Sequence, residues 1–295
     1  MPPTSIKVEH ARYVITVDDQ RRIIGDGSVL VERGRIVRVG RAAELADARA
    51  DRVIDARELV VTPGFFNGHM HISYAHPVRG IFPDDMGSPL KHVFALQMAM
   101  TEEEEYHATL LGLLELVRSG TVCLLDPGST KFPDACLQAY EAAGIRVILG
   151  ECVTDRDAPF PLPKYPTAEA VARTTAFLDK WNGRLDGRVR AWAMPFSPET
   201  CSAELLQAVH RATEERGTGL TLHHGSGEQA RRDYQARGAK SPTEYLEGLG
   251  VLGARTLLAH ALGIDDSEID CIARTGTAVA MCPVTAAKGA RGVGA

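Results

Sequence analysis

From residue 60 onward, the chain alternates between short apolar runs and longer segments with a helical pattern. The apolar runs are nearly continuous, which is typical of strands buried on both faces of a parallel sheet. One helical segment, residues 101–120, begins with a threonine cap followed by glutamates and ends at Gly120, so both of its ends carry helix-capping signals. This alternation predicts an α/β fold in which helices cover a parallel sheet.

Seven apolar runs can be assigned to strands of this sheet: VVTPGFF, TVCLLD, IRVILG, VRAWAMP, GLTLH, TLLAH and TAVAMC. Each is followed by a helix or a turn, which is the repeating unit of a TIM-type (β/α)8 barrel. The pattern therefore predicts such a barrel over residues 61–295. We expect it to be incomplete, with about seven strands present, because no eighth strand follows Cys282.

The first 60 residues have a different pattern. Short β-branched runs separated by Gly and Asp predict antiparallel strands. We expect turns at GDG (25–27) and ERG (32–34), because glycine tolerates the backbone angles that tight turns need. Residues 1–60 are therefore predicted to form a small β domain of their own.

Charge and composition exclude several classes of protein. The net charge of -5 leaves no basic surface for nucleic acid or an anionic membrane. No apolar run approaches the ~18 residues of a membrane span, and MPPTSIKVEH lacks the apolar core of a signal peptide, so we expect a cytoplasmic protein. The six cysteines form no CxxC pair, which predicts reduced thiols rather than a zinc–thiolate site.

Histidines lie at the ends of three predicted strands. His69 and His71 follow the first strand, His223 and His224 end the fifth, and His260 ends the sixth. The carboxyl ends of barrel strands meet at one face, where imidazole nitrogens can converge on a divalent cation. A single HxH pair is also compatible with surface polar residues, and His260 alone with a core histidine, so the prediction depends on their shared face.

The fourth predicted strand, VRAWAMPFSPET, carries no lysine. A lysine there could be carboxylated and bridge two metals, so its absence favours one cation. Such a cation would lower the pKa of a bound water and activate it for attack.

The order of the motifs resembles that of the amidohydrolase superfamily, and more narrowly of its chlorohydrolase, triazine-hydrolase and adenosylhomocysteine-deaminase branch. The similar segments cover nearly the whole chain: DGSVLVERGRIVRVG, VIDARELVVTPGFFNGHMH, RGIFPDD, ELVRSGTVCLLDPG, SPETCSAELL, PTEYLEGLGVLG, LLAHALGIDDSEI and ARTGTAVAMCPVTAAK. The resemblance implies that residues 1–60 are the N-terminal part of a composite β-sandwich domain. It also implies a small-molecule substrate and a homo-oligomer.

The resemblance further implies a mononuclear centre. Its ligands would be His69, His71, His223 and His260, and its cation zinc, with iron, cobalt or nickel as alternatives. His223 is preferred to His224 because the 19-residue step to Pro242 matches the family spacing. His224 then points to the other side of its strand and is grouped with the candidate substrate-binding residues.

Several positions depart from the pattern of the deaminases in this branch. Ser226 stands where those enzymes have a glutamate that shuttles protons, and we take Ser226 as the candidate catalytic residue there. Phe196 replaces a histidine on the fourth strand and is a second candidate substrate-binding residue. Gly263 replaces another histidine. A pocket with fewer polar groups should prefer a less polar substrate, which favours metal-activated water attack on a urea, carbamate, amide or halogenated N-heterocycle.

The resemblance also implies an aspartate at the end of an eighth strand, as last metal ligand and general base. No Asp occurs after Asp270, and Asp126 is expected to be structural. We therefore expect a fragment of a hydrolase that is inactive as it stands. Two alternatives remain: a true deaminase in which Glu228 replaces the missing glutamate, and a non-catalytic remnant that still binds metal.

Overall fold

The computed structural model describes residues 4–75, 81, 90–128, 131–159 and 161–288. Contacts divide the chain into two compact units, Met1–Phe65 and Phe66–Ala295. Most of the RGIFPDD segment lies outside the described residues. Within the described part of the chain, no helix is long and apolar enough to cross a membrane.

The N-terminal unit is built on a five-stranded sheet. Its strands are β1 (Ser5–Ile15), β2 (Ile23–Glu32), β3 (Arg35–Arg41), β4 (Arg52–Asp55) and β5 (Val60–Val61), with a short 3-10 helix at Ala42–Leu45. β1, β2 and β3 pair in antiparallel fashion, and the small core between them includes Ala11, Val14 and Val29.

Two expectations for this unit are wrong. β4 and β5 pair with β1 in parallel, because the chain first passes through the 3-10 helix and returns in the direction of β1. The GDG sequence lies inside β2 rather than in a turn. A side chain at Gly27 would place a Cβ 2.5 Å from Cγ2 of Val14, so this glycine permits close packing. The turn at ERG is confirmed, with Gly34 at a φ of 74°.

Nine further strand segments lie among the described residues, the first of them at the boundary with the larger unit. They are β6 (Phe65–Asn67), β7 (Thr121–Asp126), β8 (Arg146–Leu149), β9 (Cys152–Val153), β10 (Val189–Ala191), β11 (Met194–Pro195), β12 (Leu220–Gly225), β13 (Thr256–Leu262) and β14 (Ala278–Ala280). Their neighbours are β6-β7-β8-β10, then β9-β11, then β12-β13-β14. A parallel bridge between Ala193 and Leu220 links the second group to the third. Spatial order therefore follows chain order, as in a TIM-type barrel, although no pairing among the described residues joins β14 to β6.

Some predicted strands are divided in two. VVTPGFF supplies β5 to the N-terminal sheet and β6 to the larger unit, because Pro63 has no N–H to donate to a ladder. VRAWAMP likewise becomes β10 and β11, and IRVILG is followed by the separate segment β9.

Helices alternate with these strands: α1 (Ile72–Ala75), α2 (Leu90–Ala99), α3 (Glu102–Arg118), α4 (Pro133–Ala143), α5 (Thr167–Trp181), α6 (Ala203–Arg216), α7 (Glu228–Gln235), α8 (Pro242–Gly248), α9 (Asp266–Thr275) and α10 (Pro283–Lys288). The expected cap of α3 is confirmed: Thr101 and Glu104 form a reciprocal capping box, which satisfies two backbone N–H groups at the helix start. The sequence pattern missed α1, α2, α7 and α10.

Two apolar clusters hold the strands against the helices. One includes Leu113, Leu124 and Tyr140, and the other includes Leu206 and Leu258. All five side chains are fully buried. These clusters occupy the strand–helix interface, whereas the histidines expected as ligands lie at the strand ends.

Candidate metal centre

His69 and His71 follow β6, where local contacts set their direction. The Oδ1 atom of Asn67 accepts a hydrogen bond from the His69 backbone N–H at 3.2 Å. The Met70 N–H donates to the Leu125 carbonyl at 2.9 Å, and the Met70 side chain packs against the first apolar cluster. Since successive residues of an extended chain face opposite sides, His69 and His71 lie on the side opposite to Met70.

The end of β12 places His223 against Phe196. The Phe196 carbonyl accepts hydrogen bonds from the backbone N–H of His223 at 2.8 Å and from its Nδ1 at 3.0 Å. A carbonyl oxygen only accepts, so Nδ1 carries the proton and Nε2 keeps its lone pair. The Phe196 ring also lies 4.3 Å from the imidazole, centroid to centroid. This arrangement orients Nε2 as a ligand atom.

A β-bulge at the end of β13 turns His260 toward the other histidines. The β12–β13 register runs through His223–Ala259 and His224–His260 and then shifts by one residue at Ala261. His260 and Ala261 have positive φ angles of 75° and 47°. Strict alternation would put His260 on the same face as His224, yet its ring lies 5.5 Å from that of His223. Such non-glycine strain is concentrated at functional sites.

Four imidazoles therefore meet at one end of the strands. The His69 ring centroid is 5.0 Å from that of His71, 4.9 Å from His223 and 5.1 Å from His260. The Nε2 atoms of His71 and His223 are 3.1 Å apart. Candidate ligand atoms of His69, His71 and His223 all lie within 4.8 Å of one another. The structure thus brings together the four histidines that the sequence analysis expected as metal ligands.

Burial lowers the pKa of three of these imidazoles, those of His69, His71 and His223, and so favours their neutral form. It lowers the pKa of His69 to about 2, with smaller contributions from His223 and His260. It lowers the pKa of His71 well below its usual value and that of His223 to about 4. A neutral imidazole presents a lone pair, which is the form that binds a metal.

His224 lies on the other face of β12 and takes no part in this cluster. Its Nε2 donates to the Thr243 hydroxyl at 2.9 Å, which in turn donates to the Glu268 carboxylate at 2.7 Å. The side chain is 4 % exposed, and burial lowers its pKa to about 4. Its contacts are those of a buried structural residue.

Ser226 follows β12 and is 0 % exposed. Its backbone N–H donates to the Leu262 carbonyl at 2.8 Å, but its Oγ has no hydrogen-bond partner among the described residues. Glu228 begins α7 with a side chain that is 81 % exposed and paired with Arg232. Its carboxylate therefore points to solvent, which gives no support to a proton-shuttle role.

Asp126, at the end of β7, is 0 % exposed. Its carboxylate accepts hydrogen bonds from the Tyr140 hydroxyl at 2.7 Å and from the Gly128 N–H at 3.2 Å. Burial raises its pKa to about 7, against the opposing effect of these hydrogen bonds. These contacts agree with the structural role expected for it.

Sequence reasoning missed Cys282 as a member of this neighbourhood. Its Sγ lies within 4.8 Å of candidate ligand atoms of His69 and His260. The absence of a CxxC pair had argued against any thiolate ligand. The histidines were selected because they lie at the carboxyl ends of predicted strands. The same criterion would have selected Cys282, which follows β14.

The donor set fits a divalent cation. Both ring nitrogens of His69 are buried without a hydrogen-bond partner among the described residues, which is costly for a polar group unless something binds it. Two nitrogens bound tetrahedrally to one zinc lie about 3.3 Å apart, given Zn–N distances of about 2.0–2.1 Å. The 3.1 Å between His71 and His223 is close to that separation.

The strand order is that of a TIM-barrel-like α/β fold, the histidine cluster is a candidate metal centre, and both agree with the comparison with known proteins. A family model described as "Amidohydrolase family" matches residues 60–295. The chain belongs to the amidohydrolase family.

Similar proteins include a 5-methylthioadenosine/S-adenosylhomocysteine deaminase from Nitratidesulfovibrio vulgaris, with 32 % identity over 99 % of this chain and 65 % of the relative. The chain thus spans about 65 % of the length of that relative. Similar solved structures include an atrazine chlorohydrolase from Arthrobacter aurescens TC1 complexed with zinc, with a TM-score of 0.84, 23 % identity and coverage of 98 % of this chain and 68 % of that one. An adenosine deaminase from Xanthomonas campestris with bound zinc has a TM-score of 0.83 and 24 % identity, with coverage of 98 % and 65 %. These structures share the fold, a TIM-barrel-like α/β architecture.

Proposed function

We propose that the protein is a divalent-metal-dependent hydrolase that cleaves a C–N or C–halogen bond of a small molecule. His69, His71 and His223 would hold the cation, with His260 beside them. The observation that carries the proposal is the convergence of these half-buried imidazoles, with the Nε2 atoms of His71 and His223 3.1 Å apart and the ring nitrogens of His69 without a partner among the described residues.

A bound divalent cation would supply Lewis-acid chemistry, lowering the pKa of a coordinated water and polarising the bond under attack. The chain's own residues prepare the site. The Phe196 carbonyl holds the tautomer of His223 through Nδ1, and burial lowers the pKa of His69 and His223 so that both are unprotonated near neutral pH. Zinc as the first choice of cation is supported by the zinc named for two of the similar structures, and a single cation is part of the proposal.

The proposed substrate class rests on three described positions at the strand ends that carry no large polar side chain. Phe196 presents a ring to His223, Ser226 has a short buried side chain, and Gly263 has none. Since an unpaired polar group on a buried ligand is penalised, we favour a urea, carbamate, amide or halogenated N-heterocycle. The atrazine chlorohydrolase among the similar structures is compatible with that class.

Deamination of an adenosine-type substrate is the second candidate. It is supported by relatives described as 5-methylthioadenosine/S-adenosylhomocysteine deaminase and 5'-deoxyadenosine deaminase. Under this alternative, a group other than the solvent-facing Glu228 would have to move the proton, because its side chain is 81 % exposed.

The domain layout is part of the proposal. Residues 1–60 would belong to a composite β-sandwich and residues 61–295 to a (β/α)8-type barrel with about seven strands in this chain. The division of contacts near Phe65 and the chain-order arrangement of the strands support it. A homo-oligomer remains a prediction.

Metal analysis combined with a substrate panel tests the function. The purified chain and its His223→Asn variant would be loaded with Ni²⁺, which suits imidazole ligands, and assayed for bound nickel by mass spectrometry, with His224→Asn as the matched control. Release of halide from a chlorinated triazine would support the first candidate, and release of ammonia from 5'-methylthioadenosine would favour the second. Nickel bound through His223 without turnover of any panel member would favour a non-catalytic remnant, whereas equal nickel content in all three proteins would contradict the site.

A further inference from the structure

A second group of potential ligands overlaps the first. Candidate ligand atoms of His69, His260 and Cys282 lie within 4.8 Å of one another, and His69 is common to both groups. Cys282 is a free, half-buried thiol, whose Sγ contacts the Ala280 carbonyl at 3.6 Å. The thiol therefore lies beside the imidazole cluster without being closed off from solvent.

We propose that His69, His260 and Cys282 form a second cation position that is selective for thiophilic metals such as Cd²⁺, Zn²⁺ or Cu⁺. Binding there forms an Sγ–metal bond as the S–H proton leaves to the buffer. The proposal goes beyond the hydrolase function, since neither His71 nor His223 is needed for it.

Ligand softness separates the two positions. Thiolates favour Cu⁺, Zn²⁺ and other soft cations, whereas a set of imidazoles alone also suits Ni²⁺ and Co²⁺. The first group offers three nitrogens, and the second offers two nitrogens and one sulfur. Cd²⁺ should therefore prefer the position that contains Cys282, and Ni²⁺ the position that contains His71 and His223.

The shared His69 makes the two positions mutually exclusive. A neutral imidazole has one N–H and one lone pair, so His69 binds one cation at a time even though both of its nitrogens lack partners among the described residues. When a thiophilic cation holds His69, the Nε2 atoms of His71 and His223 remain 3.1 Å apart and can hydrogen-bond to each other. A soft cation would thereby block the three-nitrogen position.

Cadmium binding to the metal-free chain tests the proposal. We expect one equivalent of Cd²⁺ to produce a thiolate-to-metal absorption band and to slow alkylation of Cys282 by iodoacetamide ~10-fold or more, because the metal-bound thiolate is no longer a free nucleophile. Cys282→Ser should abolish the band, while Cys271→Ser, which removes a buried thiol on α9, should keep it. The alkylation rate is measured on the unmutated chain, so this readout does not depend on the folding of any variant.

The His71→Asn variant separates this proposal from the hydrolase function. It should keep the Cd²⁺ band and lose Ni²⁺ binding, while Cys282→Ser should keep Ni²⁺ binding. A Cd²⁺ band that survives in Cys282→Ser, or alkylation of Cys282 that saturating Cd²⁺ leaves unchanged, would overturn the second position and leave the hydrolase proposal standing. Failure of the unmutated chain to bind Ni²⁺ would contradict the three-nitrogen position alone.

Discussion

Two adjacent histidines, His223 and His224, point to opposite faces of β12 and meet different partners. His223 faces the imidazole cluster, where Phe196 fixes its tautomer. His224 faces α8 and hydrogen-bonds to Thr243. Both have a pKa lowered to about 4 by burial, so a perturbed pKa does not by itself distinguish a ligand from a structural residue.

Substitution of each histidine should therefore have a different effect. We expect His223→Asn to weaken divalent-cation binding by about 100-fold or more, since even the loss of a residue that only orients a metal ligand costs about 10–100-fold. His224→Asn should leave cation affinity unchanged but lower the free energy of unfolding by about 1–3 kcal/mol, because a buried hydrogen bond is lost. Isothermal titration with Ni²⁺ and urea denaturation measure the two effects. Loss of Ni²⁺ binding in both variants would contradict the division of roles.

The Ser226 hydroxyl should have a measurable effect on the free energy of unfolding. It is fully buried, and its Oγ lacks a partner among the described residues. Removal of an unsatisfied buried hydroxyl should raise the free energy of unfolding, by about 1 kcal/mol for Ser226→Ala. Ser197→Ala is the control, because the buried Ser197 Oγ lies 3.2 Å from the Thr200 hydroxyl and its loss should destabilise the chain. Destabilisation of similar size in both variants, measured by urea denaturation, would mean that Ser226 has a partner in solution.

At the scale of elements, Arg231 on α7 ties together the ends of β12 and β13. Its Nε donates to the Ser226 carbonyl at 2.8 Å and its Nη2 to the Gly263 carbonyl at 2.6 Å. The same guanidinium pairs with Glu268 at 2.5 Å and with Asp265. Glu268 is 3 % exposed, so Arg231 neutralises a carboxylate that water cannot reach. The two strand ends that carry His223 and His260 are therefore held by one side chain.

Loss of the Arg231 side chain should lower both the stability of the fold and the affinity of the metal centre. Arg231→Met leaves Glu268 as a buried charge without its main partner, so we expect a loss of about 2–4 kcal/mol in the free energy of unfolding. Cation affinity should fall as well, because the ends of β12 and β13 lose a common anchor. Arg232→Met is the matched control, since its pair with Glu228 is exposed and should contribute less than about 1 kcal/mol. Equal effects of the two substitutions on urea denaturation would contradict the anchoring role.

The elements also explain how much could be predicted from the sequence. The apolar runs locate β7, β12 and β13, because the burial of these strands is visible in their own residues. Alternation in the extended chain after β6 separates His69 and His71 from Met70. Alternation along β12 separates His223 from His224. The direction of His260 could not be derived in this way. It depends on a bulge at Ala261, which is set by pairing with a strand that is distant in the sequence. The parallel pairing of β4 and β5 with β1 is non-local in the same sense.

At the scale of the whole molecule, buried ionisable groups couple stability to pH in opposite directions. His224 has a folded-state pKa of about 4, below its unfolded value of about 6.5. Between these values the unfolded chain binds the proton and the folded chain does not, so acidification destabilises the fold. Asp126 has a folded-state pKa of about 7, above its unfolded value of about 3.9. Between these two pKa values the folded chain binds the proton and the unfolded chain does not, so acidification stabilises the fold.

Variants of these two residues should shift the pH profile in opposite senses. Over the range from about pH 6.5 to 4, each proton changes the free energy of unfolding by about 1.4 kcal/mol per pH unit. Acidification should therefore destabilise His224→Asn less steeply than the metal-free parent chain, and Asp126→Asn more steeply. Urea denaturation at several pH values measures the slopes, with fluorescence of Trp181 and Trp192 as the probe. The chain has 2 tryptophans, and both lie in the larger unit, so the signal reports on that unit. Parallel profiles for the three proteins would mean that these two groups do not govern its response to acid.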